Sequence, residues 1–237
     1  MAVKECILLS DGTFVLDMGL LVWMKSQYYG KKYTCVARSM LVVTDEDLVL
    51  LDTGCGDVSE TVKKEYKFQR RVTLIDDLKK AGHRPEEITI VINTHLHFDH
   101  CGWNKTFKKA RFIVQRSELE YAHDPHKFQK GGYHKPFFDA TKFELIDGDH
   151  KMTEDIKILS TPGHTPGHQS VEIRWGKKNI LFCGDTGAVA ENILKRNVIG
   201  ITTDPIECLR SIDQLRGIPD AFYVYAHDNE QPPLPRA

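Results

Sequence analysis

Three histidines and an aspartate, His95, His97, Asp99 and His100, fall within six positions of the stretch THLHFDHCGWN. Imidazole and carboxylate groups bind divalent metals, and a metal held by them activates water or polarises a carbonyl. In an extended segment positions i and i+2 point the same way, so His95 and His97 present two imidazoles to one side. A turn follows, because Cys101-Gly102 breaks the run, and Asp99 and His100 then face a second point nearby. One cation takes roughly three or four protein ligands, so this cluster half-fills two sites and needs partners from elsewhere in the chain.

Three other residues close apolar runs. His164 sits in STPGHTPGHQS, where Pro162 and Gly163 force a sharp turn before the imidazole. Asp185 ends NILFCGD, and His227 ends AFYVYAHD. A carboxylate after ILFCG is costly to bury unless something cationic meets it. Singly, each has a plain explanation, as a loop histidine or a turn-forming aspartate. Together with the first cluster they make five histidines and two carboxylates, enough for two cations. His168, in the same loop as His164, reads as structural, and Cys101 and Cys183 as small buried residues.

These residues must be carried by strands. Apolar and β-branched runs at 6–9, 14–24, 35–43 and 47–56, broken by Asp-Gly and Asp-Glu-Asp, predict strands and hairpins. Residues 59–82 show helical spacing in their second half, at Val72, Ile75 and Leu78, with Gly82 as a stop. EEITIVINTHLHFDH reads as a buried strand running straight into the histidines. RFIVQ predicts a strand, and SELEYAHD a short helix with Ser117 as cap and Glu120 at the capping-box position. KFELI, 155–175 and 179–187 are strand-rich, and 204–216 is an amphipathic helix capped by Asp204 with Pro205 in its first turn. No linker or internal repeat interrupts the chain, and the tail QPPLPRA is expected to be loosely held. Strand-rich halves, each followed by helices, predict an α/β (α+β) architecture over 1–237: one domain in four αββα layers, two packed sheets with helices outside.

Lys+Arg 32 against Asp+Glu 33 leaves a formal charge of -1, so no global field draws nucleic acid or anionic lipid. No run approaches the roughly 18 apolar residues of a membrane span, and the start lacks a signal-peptide layout. Six scattered cysteines without a CxxC suit reduced thiols, and a cytoplasmic location is expected.

H-x-H-x-D-H, then a Gly-His-Thr turn, a Gly-Asp and a late histidine, resemble the metallo-β-lactamase superfamily. Within it the chain is most similar to the quorum-quenching N-acyl homoserine lactone hydrolases, through HLHFDHCGWN, IVQRSELE, STPGHTPGHQS and HDNEQ, with LLDTG upstream. The likeness spans roughly residues 4–231. It implies that His95, His97 and His164 hold one metal, that Asp99, His100 and His227 hold the other, and that Asp185 bridges them. It further implies that Asp52 supports the ligands from behind and that Asp99 carries a proton to the leaving group. A hydroxide shared by the metals would open the ester ring of a lactone. Zinc suits the donor set; iron, manganese or cobalt remain open.

Met18, Leu20, Trp23, Met24, Tyr66 and Phe68 lie in segments that the resemblance places at the site mouth, where they would line an acyl groove. The chain departs from the family at Ala188, three residues after Asp185, where a substrate-contacting tyrosine is usual; Tyr28, Tyr133 or Tyr223 are candidate substitutes. A small lactone or ester is the expected partner, with no nucleic acid and no membrane, and the chain as monomer or homodimer. A glyoxalase II-like thioester hydrolase is the alternative enzyme, and a non-catalytic metal-binding protein the alternative from another class.

Overall fold

A computed structural model describes residues 2–235. The first sheet runs in sequence order: β1 (Val3–Asp17), β2 (Lys32–Thr44), β3 (Leu48–Leu51), β4 (Ile90–Ile92), β5 (Arg111–Gln115) and β6 (Phe143–Ile146). Its first three strands pair antiparallel and the last three join in parallel. The second sheet comprises β7 (His150–Lys151), β8 (Ile156–Ser160), β9 (Gln169–Trp175), β10 (Lys178–Phe182) and β11 (Ala221–Val224), in the spatial order β11-β10-β9-β8-β7. Only β10 and β11 pair in parallel there. The helices are α1 (Met18–Leu21), α2 (Glu60–Glu65), α3 (Leu74–Lys80), α4 (Phe98–Cys101), α5 (Arg116–His123), α6 (Ala190–Leu194) and α7 (Pro205–Arg216).

Alternation along the strands makes the layers. Val49, Leu51, Ile90 and Ile92 of the first sheet meet Ile156, Ile158, Val171 and Ile180 of the second in one dry core. The intervening Leu50 and Val91 face outward, against Leu74 and Leu78 of α3. On the far side, Leu159 and Leu181 pack under Ile193 of α6 and Ile212 and Leu215 of α7. The order is helix, sheet, sheet, helix, as the alternation of strand-rich segments and helices leads one to expect. No helix among the described residues is long and apolar enough to cross a membrane.

Several local expectations change. Asp11-Gly12 does not end a strand: β1 continues through it with a register shift between Ser10 and Thr13. The reason is non-local, since the fully buried Asp11 carboxylate accepts from Cys55 N, Gly56 N, Leu74 N, Trp103 Nε1 and Arg70. The apolar run 14–24 is strand only to Asp17, whose side chain accepts from Gly19 N and starts α1. Residues 59–82 hold two helices, α2 capped by Ser59 and α3 by a Thr73–Asp76 capping box. Helix α5 starts from Gln115, not Ser117, and the Ser117 hydroxyl donates to Pro166 O instead. Asp204 caps α7 as expected, accepting from Ile206 N and Glu207 N. The described part of the tail is tied down: the Gln231 side chain bonds Tyr225 N and Tyr223 O, and Leu234 packs on the inter-sheet core. Residues 236 and 237 lie outside the described residues.

One backbone crossing presses the loop after β3 against the end of α4. A Cβ on Gly102 would lie 2.1 Å from Cys55 C and 2.2 Å from Gly56 N. Gly56 itself holds a φ of 61°, in the left-handed region that glycine adopts without strain. Both segments carry site residues, so their spacing matters. Gly102→Ala is expected to lower unfolding stability by about 3 kcal/mol through overpacking against backbone that has nowhere to go. A urea titration checks this: the midpoint should fall with the slope unchanged.

Candidate metal centre

Every residue of the centre lies in the loop or short helical turn just past the C-terminal end of a strand. His95, His97, Asp99 and His100 follow β4, Asp52 follows β3, His164 follows β8, Asp185 follows β10 and His227 follows β11. Strand β4 stops at Ile92, so the two leading histidines sit in the loop beyond it, yet their i, i+2 spacing still brings them together. His95 Nε2 lies 3.1 Å from His97 Nδ1. His164 Nε2 lies 3.2 Å from the first and 3.1 Å from the second. On the other side His100 Nε2 and His227 Nε2 are 3.3 Å apart, with Asp99 Oδ2 at 3.7 and 3.6 Å. Asp185 divides its carboxylate between the groups, Oδ1 being 2.9 Å from His227 and 3.3 Å from His100, while Oδ2 is 3.3 Å from His164.

These separations suit a metal. Nitrogens bound tetrahedrally at roughly 2.0–2.1 Å sit about 3.3 Å from one another, the spacing seen among the imidazoles. Several of the contacts pair nitrogens whose lone pairs face each other, an arrangement that makes little sense without a cation between them. Buried Asp185 Oδ1 has no hydrogen bond despite its neighbours, as expected of an atom aimed at a cation. The donor residues therefore fit two divalent ions, with His95, His97 and His164 on one side, Asp99, His100 and His227 on the other, and Asp185 between.

The ring orientations are set from behind. His227 Nδ1 donates to Val36 O at 3.0 Å and His164 Nδ1 to Ile201 O at 2.6 Å. A carbonyl only accepts, so each Nδ1 carries a proton and each Nε2 faces inward. Asp52 accepts from His100 Nδ1 at 2.8 Å, and from Thr94 N and Thr94 Oγ1 at 2.7 and 2.8 Å. Thr94 Oγ1, its proton given to Asp52, lies 3.1 Å from His95 Nδ1. Asp52 itself has a φ of 57°, so the loop strains one residue to aim this carboxylate. His168 uses both ring nitrogens elsewhere, Nδ1 toward Thr161 O and Nε2 accepting from Asp185 N at 2.9 Å, which holds the Asp185 backbone in place. Burial pushes its pKa down to about 3.

A cavity of about 250 Å³ opens over the centre. His97, Asp99, His164, Asp185 and His227 reach it, and Leu20, Leu21, Tyr66, Phe98, Phe128 and Ile199 give it an apolar lining. Leu20 and Tyr66 line it as the resemblance implies; Met18, Trp23, Met24, Phe68 and Ala188 are not among the lining residues. Met18 and Phe68 pack on a hydrophobic cluster, Ala188 is fully buried within it, and Met24 stands 69% exposed. Of the candidate tyrosines, Tyr28 bonds Glu191, Tyr133 bonds Glu118 and Tyr223 stacks on Tyr225. Among the described residues, Tyr66 is the one tyrosine that lines the cavity. Gln129 also lines it, donating from Nε2 to His164 O, and sequence patterns held no signal for it. The same is true of Glu118, which is fully buried behind the histidines. Cys101 and Cys183 are buried, with their thiols raised by burial, and they bond carbonyls rather than the centre.

Charge divides the two donor groups. Burial keeps His95, His97 and His164 from protonating and lowers their pKa values. Burial also opposes charge on His100 and His227, but the carboxylates beside them prevail: Asp99, Asp185 and Asp52 raise His100, and Asp185 and Asp99 raise His227. Asp185, which burial alone would raise, is held well below the carboxylate range by His227, His100 and His164. A cation must displace the protons of His100 and His227, whereas the other three imidazoles are already neutral. As pH falls, metal should therefore leave the Asp99/His100/His227 group first. Metal analysis across a pH series should show a plateau near one equivalent between two and none; a single parallel loss would contradict this ordering.

Comparison with known proteins agrees with this geometry. Residues 33–227 match the model of the metallo-beta-lactamase superfamily. An N-acyl homoserine lactonase from a Bacillus species is 30% identical over 206 residues, covering 81% of this chain and 80% of its own. Another, from Bacillus thuringiensis, is 27% identical over 98% of this chain and 96% of its own. A solved N-acyl homoserine lactone hydrolase, with the product N-hexanoyl-L-homoserine bound at its catalytic metal centre, superimposes with a TM-score of 0.84 at 28% identity, over 98% of this chain and 96% of that one. With the sandwich, the paired donor groups and the matched stretch all in agreement, the chain belongs to the metallo-beta-lactamase superfamily.

Proposed function

We propose that this protein is a metal-dependent hydrolase that opens the ester ring of N-acyl homoserine lactones, a quorum-quenching activity. The observation that carries this function is the division of the Asp185 carboxylate between two histidine groups under an apolar cavity, in a chain whose relatives across nearly its whole length are lactonases. Zinc is the cation we favour for the imidazole and carboxylate donors. Six free, buried cysteines favour a reducing compartment such as the cytoplasm.

Two divalent cations, when bound, supply Lewis acidity toward a carbonyl and activate water near neutral pH. The protein supplies the rest. Neutral His95, His97 and His164, with the proton of His164 parked on Nδ1 against Ile201 O, present lone pairs that need no deprotonation. Asp99 lines the cavity, with Oδ2 toward His100 and His227, and its carboxylate can take up a proton and return it to the departing alkoxide. Leu20, Phe98, Phe128 and Ile199 would take the acyl chain and keep bulk water from the reacting ester. The Ala188 side chain supplies no donor to the substrate carbonyl, while Tyr66 is among the residues that line the cavity.

Metal-loaded protein of known stoichiometry, assayed against N-acyl homoserine lactones of graded acyl length and against S-lactoylglutathione, tests the assignment. Lactone kcat/KM is expected to exceed that of the thioester by about tenfold or more, the discrimination of roughly 1.4 kcal/mol that a matched pocket provides. A thioester preference would reassign the enzyme. Asp185→Asn should lower both metal occupancies together and reduce turnover by about 100-fold or more, since it withdraws charge from both groups. Two metals retained at wild-type affinity would refute the bridging role.

A further inference from the structure

We infer that Glu118 is the positioning residue of the His95/His97/His164 group, serving that half of the centre as Asp52 serves His100. This rests on the two-metal reading of the site. Glu118 is fully buried in α5, and its hydrogen bonds go to Leu96, Tyr133 and Thr165 rather than to an imidazole. Its carboxylate is surrounded by donors from each segment that carries one of them. Oε1 accepts from Leu96 N at 2.9 Å and from Tyr133 Oη at 3.1 Å. Oε2 accepts from Thr165 Oγ1 at 2.5 Å, and the backbone of Gly167 lies close against Glu118.

Each partner has a bearing on a ligand. Leu96 lies between His95 and His97, so fixing its N–H fixes the His95–Leu96 peptide plane, one of the two that link these imidazoles. Thr165 follows His164 directly. The Tyr133 ring packs against the His97 ring, with centroids 4.6 Å apart at 66°. That contact matters because His97 Nε2, turned away from the cluster, is buried and has no hydrogen-bond partner. The other four ring systems are oriented by a bond to the second nitrogen, whereas His97 is held by packing and by its backbone alone. The approach of the two segments is close: a Cβ on Gly167 would fall 2.1 Å from Glu118 N.

All three partners donate to the carboxylate; the Leu96 N–H can only donate, whereas the two hydroxyls can also accept. Glutamine preserves the volume but removes the charge, so three charge-assisted hydrogen bonds are replaced by weaker neutral ones, and its NH₂ cannot accept from Leu96 N. A carboxylate buried this deeply is costly unless its lone pairs are satisfied, and here they are. The burial is therefore consistent with a part built to tie loops together. Asp52 works by contact, through His100 Nδ1; Glu118 works through backbone and through Tyr133.

Cobalt(II) titration of the metal-free protein, followed by its visible ligand-field bands, separates the two halves. His164→Ala and His227→Ala, each removing a donor from one group, mark which equivalent is which. In Glu118→Gln the equivalent belonging to the His164 group should weaken by about 10- to 100-fold with its band altered, the other equivalent keeping wild-type affinity. Thr165→Val and Tyr133→Phe, which each delete one donor, should weaken the same equivalent by a smaller factor. Two outcomes would overturn the inference: both equivalents bound as in wild type, or both lost in parallel with a lower melting temperature of the metal-free chain in all three variants. Wild-type protein that takes up fewer than two equivalents would overturn the two-metal reading itself, and the positioning role with it, before any variant is compared.

Discussion

The Asp185 carboxylate faces His227 and His100 with one oxygen and His164 with the other, and the surrounding structure is organised to make that placement possible. A buried carboxylate among inward-facing imidazoles is unstable unless positive charge joins it. The fold meets this constraint by holding the groups where cations can enter. His168 grips the Asp185 backbone, two backbone carbonyls fix the tautomers of His164 and His227, and Asp52 fixes His100. Repulsion among the donors is thereby stored in the folded frame rather than relaxed by side-chain rotation.

That frame is the sandwich. Strands from both sheets end at the same edge, and their loops deliver ligands from points as distant in sequence as His95 and His227. Apolar residues between the sheets fix the strand ends, so the ligating loops inherit rigid anchors. Two further buried carboxylates brace the loops, Asp11 near the Gly56–Gly102 crossing and Glu118 behind the histidines. Polar burial on this scale is tolerable because each carboxylate meets several donors and each of its oxygens at least one.

The histidine pattern was legible because its logic is local. His95 and His97 need only the i, i+2 rule to converge, and Asp204 needs only the two residues that follow to cap α7. Glu118 was not legible for the opposite reason. In SELEYAHD a carboxylate at helix spacing reads as a solvent-facing residue, and its donors at Leu96, Tyr133 and Thr165 lie 15 to 47 positions away. Asp11-Gly12 misleads in the same way: the dipeptide signals a turn, but donors from residues 55 to 103 hold it in a continuous strand. The mouth of the cavity followed neither rule, since Met24 turns outward while Phe128, from a different loop, takes part in the lining.

By itself the sequence determined the layered architecture, through strand alternation and helix spacing, and the chemistry of the centre, through five histidines and two carboxylates at the ends of apolar runs. Both follow from short-range periodicity and from the intrinsic affinity of imidazole and carboxylate for metals. Only the tertiary structure decided the distances between those donors, which nitrogen of each ring faces inward, and which side chains form the cavity wall. Those properties depend on contacts between residues far apart in the chain, and no local spacing encodes a distance across two packed sheets.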